Sequence, residues 1–289
     1  MLDDYLEVYK EWLKNKGLSK STICAYVICL NHYLQWHKDT YDIESTKILN
    51  ENVIEYRSFL QDYKKLKAST INSKLAALIK YNEYLAELES NQRVVTAVAK
   101  KVYLRNQTAY ISPSRLDEND VDQFRQAVFF GSGLLGERNH AIVTIIAYGG
   151  LRISETLCLK HDDVDIFNKQ ITVQEGRGNN KRRIVYIGDK IVSSLKRYID
   201  SKGYIDRPWL FPGRGGKNHL NRSVVNKIFN NFSSEITPDT LRRFYCSNAF
   251  EKGYNIHEVA NQAGHSDINT TLKYTHLTIE NMKEKANRL

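Results

Sequence analysis

The sequence predicts a mostly α-helical fold with a small antiparallel β element, of α+β class, built as a helical N-terminal domain followed by a mixed C-terminal one. Three observations carry this expectation. Apolar residues recur at three- and four-residue spacing through the first ninety positions. That periodicity is lost over residues 90–115, which mix polar and basic residues and carry Pro113, one of only four prolines. Beyond them, two short runs of alternating apolar residues flank a glycine-bearing polar loop. The expected boundaries are therefore 1–90 for the helical domain, 91–115 for a linker and 116–289 for the second domain.

In the first domain, Tyr5, Leu6, Val8, Tyr9, Trp12 and Leu13 mark one helix, and Gly17 ends it. Ser21-Thr22 opens a second segment with Ile23, Tyr26, Val27 and Leu30 on one face, and Ser69-Thr70 opens another with Ile71, Leu75, Leu78 and Leu85. Aligned on Ser-Thr, the two segments share Ile23 with Ile71, Leu30 with Leu78 and Tyr33 with Tyr81, which suggests two similar helix pairs. In the second domain, Asp117–Val128 and Arg138–Ala147 read as helices, the latter apolar nearly all round and stopped by Gly149-Gly150. Ile171-Thr172-Val173 and Ile184-Val185-Tyr186-Ile187 read as a hairpin whose long tip, Gly176 to Arg183, is mostly basic. Helices return over Leu241–Phe250 and Ile256–Gln262, and a polar, lysine-bearing tail runs from Ile279 to Leu289.

A chain of 289 residues, 42% hydrophobic and 26% charged, can bury a substantial core, and this composition excludes disorder throughout. No window approaches a membrane span, and the acidic start MLDDYLEVYK is unlike a signal peptide, so a cytoplasmic protein without membrane partners is expected. The four cysteines form no CxxC pair, which indicates neither zinc nor disulfides. The net charge of +9 is unevenly placed. Residues 1–100 hold 14 basic and 13 acidic residues, residues 101–289 hold 28 and 20, and Arg177 to Lys227 alone holds 13 and 3. Such a concentration suits a polyanion, with nucleic acid the leading partner and a solvated basic face the bland alternative.

Three short segments carry candidate chemistry: Gly150-Leu151-Arg152-Ile153-Ser154-Glu155, Thr237-Pro238-Asp239-Thr240-Leu241-Arg242, and Gly264-His265-Ser266-Asp267 with Tyr274 nine residues after the histidine. Singly they read as a surface cap, a turn histidine and a core tyrosine. In this order and spacing they resemble the tyrosine recombinase (phage integrase) family, and the helical first ninety residues resemble its SAM-like core-binding domain. The resemblance covers most of the chain. It implies Tyr274 as nucleophile, forming a 3′-phosphotyrosyl link that stores the bond energy for rejoining. It assigns Arg152 and Arg242 to the nonbridging phosphate oxygens, which guanidinium forks grip in two-point contacts while remaining charged. His265 would donate a hydrogen bond to the same phosphate or help move the nucleophile's proton. No metal or cofactor is expected, because arginines supply the positive charge.

Two positions depart from the family pattern. Asp239 stands where the family most often has histidine, three residues before Arg242 on one helix face, so it either takes a catalytic role or merely holds that arginine. At the hairpin tip, where the family uses a lysine general acid, the chain has Arg177, a poor proton donor; Lys181 on the same loop is expected to act, with Arg177 as the other occupant. Arg177, Arg182, Arg183 and Arg243 are expected to hold DNA phosphates rather than read bases, and Lys74 and Lys80 are candidates for reading sequence. The resemblance further implies double-stranded DNA with specific core sites as partner, a clamp of two domains around it, and a homotetramer on two paired sites. The compact chain and its two departures favour a mobile-element recombinase, for cointegrate resolution, integration and excision, or plasmid dimer resolution. The alternatives are a catalytically inactive DNA-binding regulator on the same fold and a relaxing enzyme of type IB topoisomerase kind.

Overall fold

The computed structural model describes residues 2–44, 46–88, 116–174, 182–202, 208–265 and 267–272. The chain divides into two compact units, Met1–Ala109 and Tyr110–Leu289. The expected linker over 91–115, the hairpin tip with Arg177 and Lys181, and the tail with Tyr274 lie outside the described residues.

In the first unit, α1 (Leu2–Asn15) ends before Gly17, which takes the left-handed conformation at φ 76°. The second helix, α2 (Lys20–Tyr41), starts one residue before the expected Ser21-Thr22. Ser19 is its N-cap, because its side chain accepts the Thr22 N–H. A helix not singled out in the sequence, α3 (Asn50–Ser58), runs into a π-helical turn, Phe59–Tyr63. Ser69-Thr70 lie in the first turn of α4 (Ala68–Leu88), whose Ile71, Leu75, Leu78 and Leu85 are all buried. The core here is rich in tyrosine: Tyr9, Tyr33, Tyr56 and Tyr81 have almost no exposed surface.

The second unit is organised around α6 (Gly136–Gly149), which is buried nearly all round. The amphipathic helices α5 (Glu118–Gly131), α8 (Asp189–Lys202) and α10 (Pro238–Glu251) pack on it. Phe124, Ile145, Leu195 and Leu241 meet in the core between them. Beside this bundle lies a three-stranded antiparallel sheet in the order β1 (Val164–Asp165), β2 (Gln170–Gln174), β3 (Arg182–Tyr186), with Ile171 opposite Val185 and Val173 opposite Arg183. The hairpin is the one expected, with β1 as an added edge. The described residues of the unit also form α7 (Ile153–Leu157), α9 (Arg222–Phe232) and α11 (Ile256–Ala263). The described chain ends in α12 (Ile268–Leu272). Among the described residues no helix is long and apolar enough to cross a membrane, and all four cysteines are free thiols.

Candidate active site

The site is assembled from three helix ends. The first is the C-terminus of α6, where Gly150 takes φ 65° and lets the chain turn sharply. A β-carbon at Gly150 would run into the ring of Tyr245 on α10, so conformation and packing both require glycine there. The turn buries Leu151 and leaves Arg152 in extended backbone at the N-cap of α7. Glu155 then reaches back one turn. Its carboxylate accepts the Arg152 backbone N–H at 2.8 Å and the Arg152 Nη1 at 2.8 Å, while Arg152 Nη2 donates to the Gly264 carbonyl at 2.8 Å.

The second end is the start of α10. Thr237 and Thr240 cap it reciprocally, and Pro238 sits where a helix lacks an N–H partner anyway. One turn in, Arg242 shares the inward face with Leu241 and Phe244 and is only 9% exposed. Its Nη1 donates to the Gly150 carbonyl at 2.6 Å, and its Nη2 is buried with no hydrogen-bond partner among the described residues. Burial, reinforced by the neighbouring Arg152, pushes the Arg242 pKa down to about 10, so the guanidinium remains charged at neutral pH. A charged donor left unfilled in the interior is costly, and an anionic oxygen would satisfy it.

The third end is the C-terminus of α11. Gly264 closes it at φ 70° in a Schellman arrangement, with His265 N–H donating to the Ala260 carbonyl at 2.9 Å, and this sets His265 directly after the turn. The carbonyls of this end carry partial negative charge and attract cations. Arg152 takes Gly264, and Arg183 from β3 takes Gln262 at 3.3 Å and Ala263 at 3.4 Å. Arg183 also holds both oxygens of Glu155, at 3.2 and 2.8 Å. Burial alone would raise the Glu155 carboxyl, but the hydrogen bonds and charges of Arg183 and Arg152 outweigh it and hold the group below the usual carboxylate range. His265 is half-buried, and its Nδ1 lies 2.8 Å from Thr271 Oγ1. Burial first, then the charges of Arg242, Arg152 and Arg183, lower the imidazole to about 4, so the ring is neutral at pH 7.

The structure thus brings Arg152, Arg242 and His265 together, from three segments spread over more than a hundred residues of chain. Arg183 requires a correction. Expected to hold phosphate, it is 8% exposed and spends its guanidinium on Glu155 and two carbonyls, because strand alternation turns it inward with Val185 and Ile187. Arg182, its neighbour, is exposed, and Arg243 is half-exposed on α10. Asp239 is exposed in the first turn of α10, where a carboxylate suits the helix dipole, and no hydrogen bond or ion pair joins it to Arg242. The idea that it holds that arginine is therefore dropped. Lys80 is engaged with Glu83 at 2.6 Å and lies over the Trp12 ring, and Lys74 meets His32 at 2.9 Å. Among the described residues no cluster of His, Cys, Asp or Glu could hold a metal ion. Sequence reasoning missed Glu155 and Thr271. The three-residue spacing from Arg152 to Glu155, that of a helix-capping acid, was the available signal for the first; nothing local marked the second.

Residues 114–281 match the model of the phage integrase family, and residues 6–88 match that of the phage integrase N-terminal SAM-like domain. A TnP I resolvase from Bacillus thuringiensis is 40% identical over 286 residues, covering 98% of each chain. A tyrosine recombinase XerD from Oceanobacillus iheyensis is 28% identical over 301 residues, 98% of this chain and 97% of that one. The crystal structure of a XerH site-specific recombinase bound to palindromic difH substrate, in a post-cleavage complex, superposes with a TM-score of 0.71 at 21% identity. It covers 97% of this chain and 83% of that chain, a likeness of fold. With a family match over more than half its length and a 40% identical relative spanning nearly all of it, the chain belongs to the phage integrase family and is a tyrosine site-specific recombinase.

Proposed function

We propose that this recombinase cleaves and rejoins duplex DNA through a 3′-phosphotyrosyl intermediate at Tyr274, in the cytoplasm and on behalf of a mobile element. In this reading the Tyr274 hydroxyl oxygen attacks the scissile phosphorus and loses its proton. The bond from phosphorus to the 5′ oxygen of the next nucleotide breaks, and that oxygen leaves as a hydroxyl after taking up a proton. The same steps in reverse, with the 5′ hydroxyl of another strand as nucleophile, restore a phosphodiester and free the tyrosine, so no net hydrolysis occurs.

Charge builds on the phosphate oxygens during attack, and preorganised donors stabilise it most. Arg152 and Arg242 are assigned to those oxygens, and neutral His265 to a further hydrogen bond. Lys181, with Arg177 as the other occupant of the hairpin tip, supplies the leaving group's proton. Arg182 and Arg243 contact flanking phosphates. Asp239, exposed in the first turn of the helix that carries Arg242 and not bonded to it, is kept as a negative charge near that helix start. The observation that carries this reading is the buried, unfilled Nη2 donor of Arg242 beside the partly exposed Arg152 and half-buried His265.

Resolution of cointegrates is favoured among the pathways by the 40% identity to a TnP I resolvase. Two recombining sites need four cleaving subunits, so a tetramer on paired DNA sites is the working assembly. The test is a nicked suicide duplex, made from DNA flanking the gene, whose cleaved fragment diffuses away. A covalent protein–DNA band for wild type that is absent for Tyr274→Phe is the expected result. Specific binding without any adduct for wild type would overturn the reading in favour of a non-catalytic regulator.

A further inference from the structure

Thr271 has no exposed surface, and its hydroxyl oxygen lies 2.8 Å from His265 Nδ1. Burying an unpaired hydroxyl is costly, so this contact is what makes a polar residue tolerable there. Thr271 belongs to α12, where Thr270 N–H donates to the Asp267 carbonyl at 3.0 Å, and it stands three residues before Tyr274 in the chain. The charged groups facing the imidazole are Arg242 from α10, Arg152 at the start of α7, Arg183 from β3 and Glu155 from α7. Three guanidiniums against one carboxylate favour the neutral ring.

A neutral imidazole has one nitrogen that donates and one that accepts, and the partner of the first nitrogen decides what the second can do. Nδ1 is taken by Thr271. Phosphate oxygens only accept, so an Nε2 that serves them must carry the ring proton; Nδ1 is then the acceptor and the threonine hydroxyl the donor. We infer that Thr271 is a positioning residue, whose hydroxyl donates to His265 Nδ1 and holds the ring in the tautomer that presents Nε2–H to the scissile phosphate. The inference rests on the phosphodiester reading above and names a residue that reading did not use. It also ties the histidine to the stretch of chain that leads to the nucleophile.

The experiment compares Thr271→Val, which keeps shape and removes the hydroxyl, with Thr271→Ser, which keeps the hydroxyl. Single-turnover cleavage of the suicide duplex, duplex binding and thermal unfolding are measured for each. Supporting a working group from behind is typically worth 10- to 100-fold, so Thr271→Val is expected to cleave about 10- to 100-fold more slowly at saturating DNA, with duplex affinity within about twofold. Thr271→Ser should recover the rate to within about threefold. In the free protein, nitrogen-15 NMR of the ring should show His265 protonated at Nε2 in wild type and a shift toward mixed tautomers in Thr271→Val. Wild-type protonation at Nδ1, or undiminished cleavage by Thr271→Val, would overturn the inference. Because the tautomer is read without DNA, absence of any wild-type adduct would sink the phosphodiester reading separately.

Discussion

Glu155 is the residue on which the site's geometry turns. It is 11% exposed and lies between a half-exposed arginine and a buried one, Arg152 at 2.8 Å and Arg183 at 2.8 Å. Removing one member of a buried ion pair typically costs 3–5 kcal/mol, because the other is left uncompensated. Because Arg152 still holds Glu155, Arg183→Met is expected to lower stability by somewhat less than that amount in urea unfolding, and to leave the salt dependence of duplex binding unchanged. A phosphate-holding arginine would behave the opposite way, its loss reducing the slope of log affinity against log salt by about one. Titrating duplex affinity against salt for wild type and Arg183→Met separates the two roles. The inward position of Arg183 was readable in advance, since it shares the alternating face of Val185 and Ile187. Its basic neighbours drew the reading toward the surface. The pairing of Thr271 with His265 had no such signal, because a threonine hydroxyl reveals its partner only once the chain is folded.

At the scale of elements, helix ends make the site, and two left-handed glycines make the ends. Gly150 and Gly264 take φ 65° and 70°; beside the first stands the Tyr245 ring, and a β-carbon at the second would lie 2.6 Å from Arg183 Cζ. Gly253, in the same unit at φ 91°, has nothing within 4 Å of such an atom. The three positions separate backbone strain from crowding. Gly253→Ala should cost only the left-handed penalty, about 1–2 kcal/mol. Gly150→Ala adds overpacking of about 1–3 kcal/mol and shifts the carbonyl that receives Arg242, so it should lose both more stability and more cleavage activity. Urea midpoints and suicide-duplex rates check this order, and equal losses at Gly150 and Gly253 would show that crowding is irrelevant. The long periodic helices and the hairpin could be read from sequence because apolar spacing reports burial directly. The Ser19 cap, the two-residue strand β1 and the π-helical turn at Phe59–Tyr63 could not, since each is set by one or two hydrogen bonds rather than by a repeating face.

Across the whole molecule, two separate cores and an uneven charge distribution imply a division of labour. Each compact unit buries its own apolar cluster, one built on tyrosines from α1 to α4 and the other on α6 and its neighbours. A unit with its own core can fold alone. Residues 1–100 are nearly neutral, with 14 basic against 13 acidic residues, whereas 101–289 carry 28 against 20. Phosphate neutralisation sets the salt dependence of duplex binding, at about 0.9 per phosphate contacted. Fragments 1–109 and 110–289 should therefore each unfold cooperatively by circular dichroism, and the second should keep most of the full chain's salt slope while the first keeps little. Fluorescence anisotropy on one labelled duplex over a salt series makes the comparison. A slope concentrated in 1–109 would mean that the helices of the first unit hold the phosphates despite their balanced charge, and that the basic stretch from Arg177 to Lys227 serves another surface.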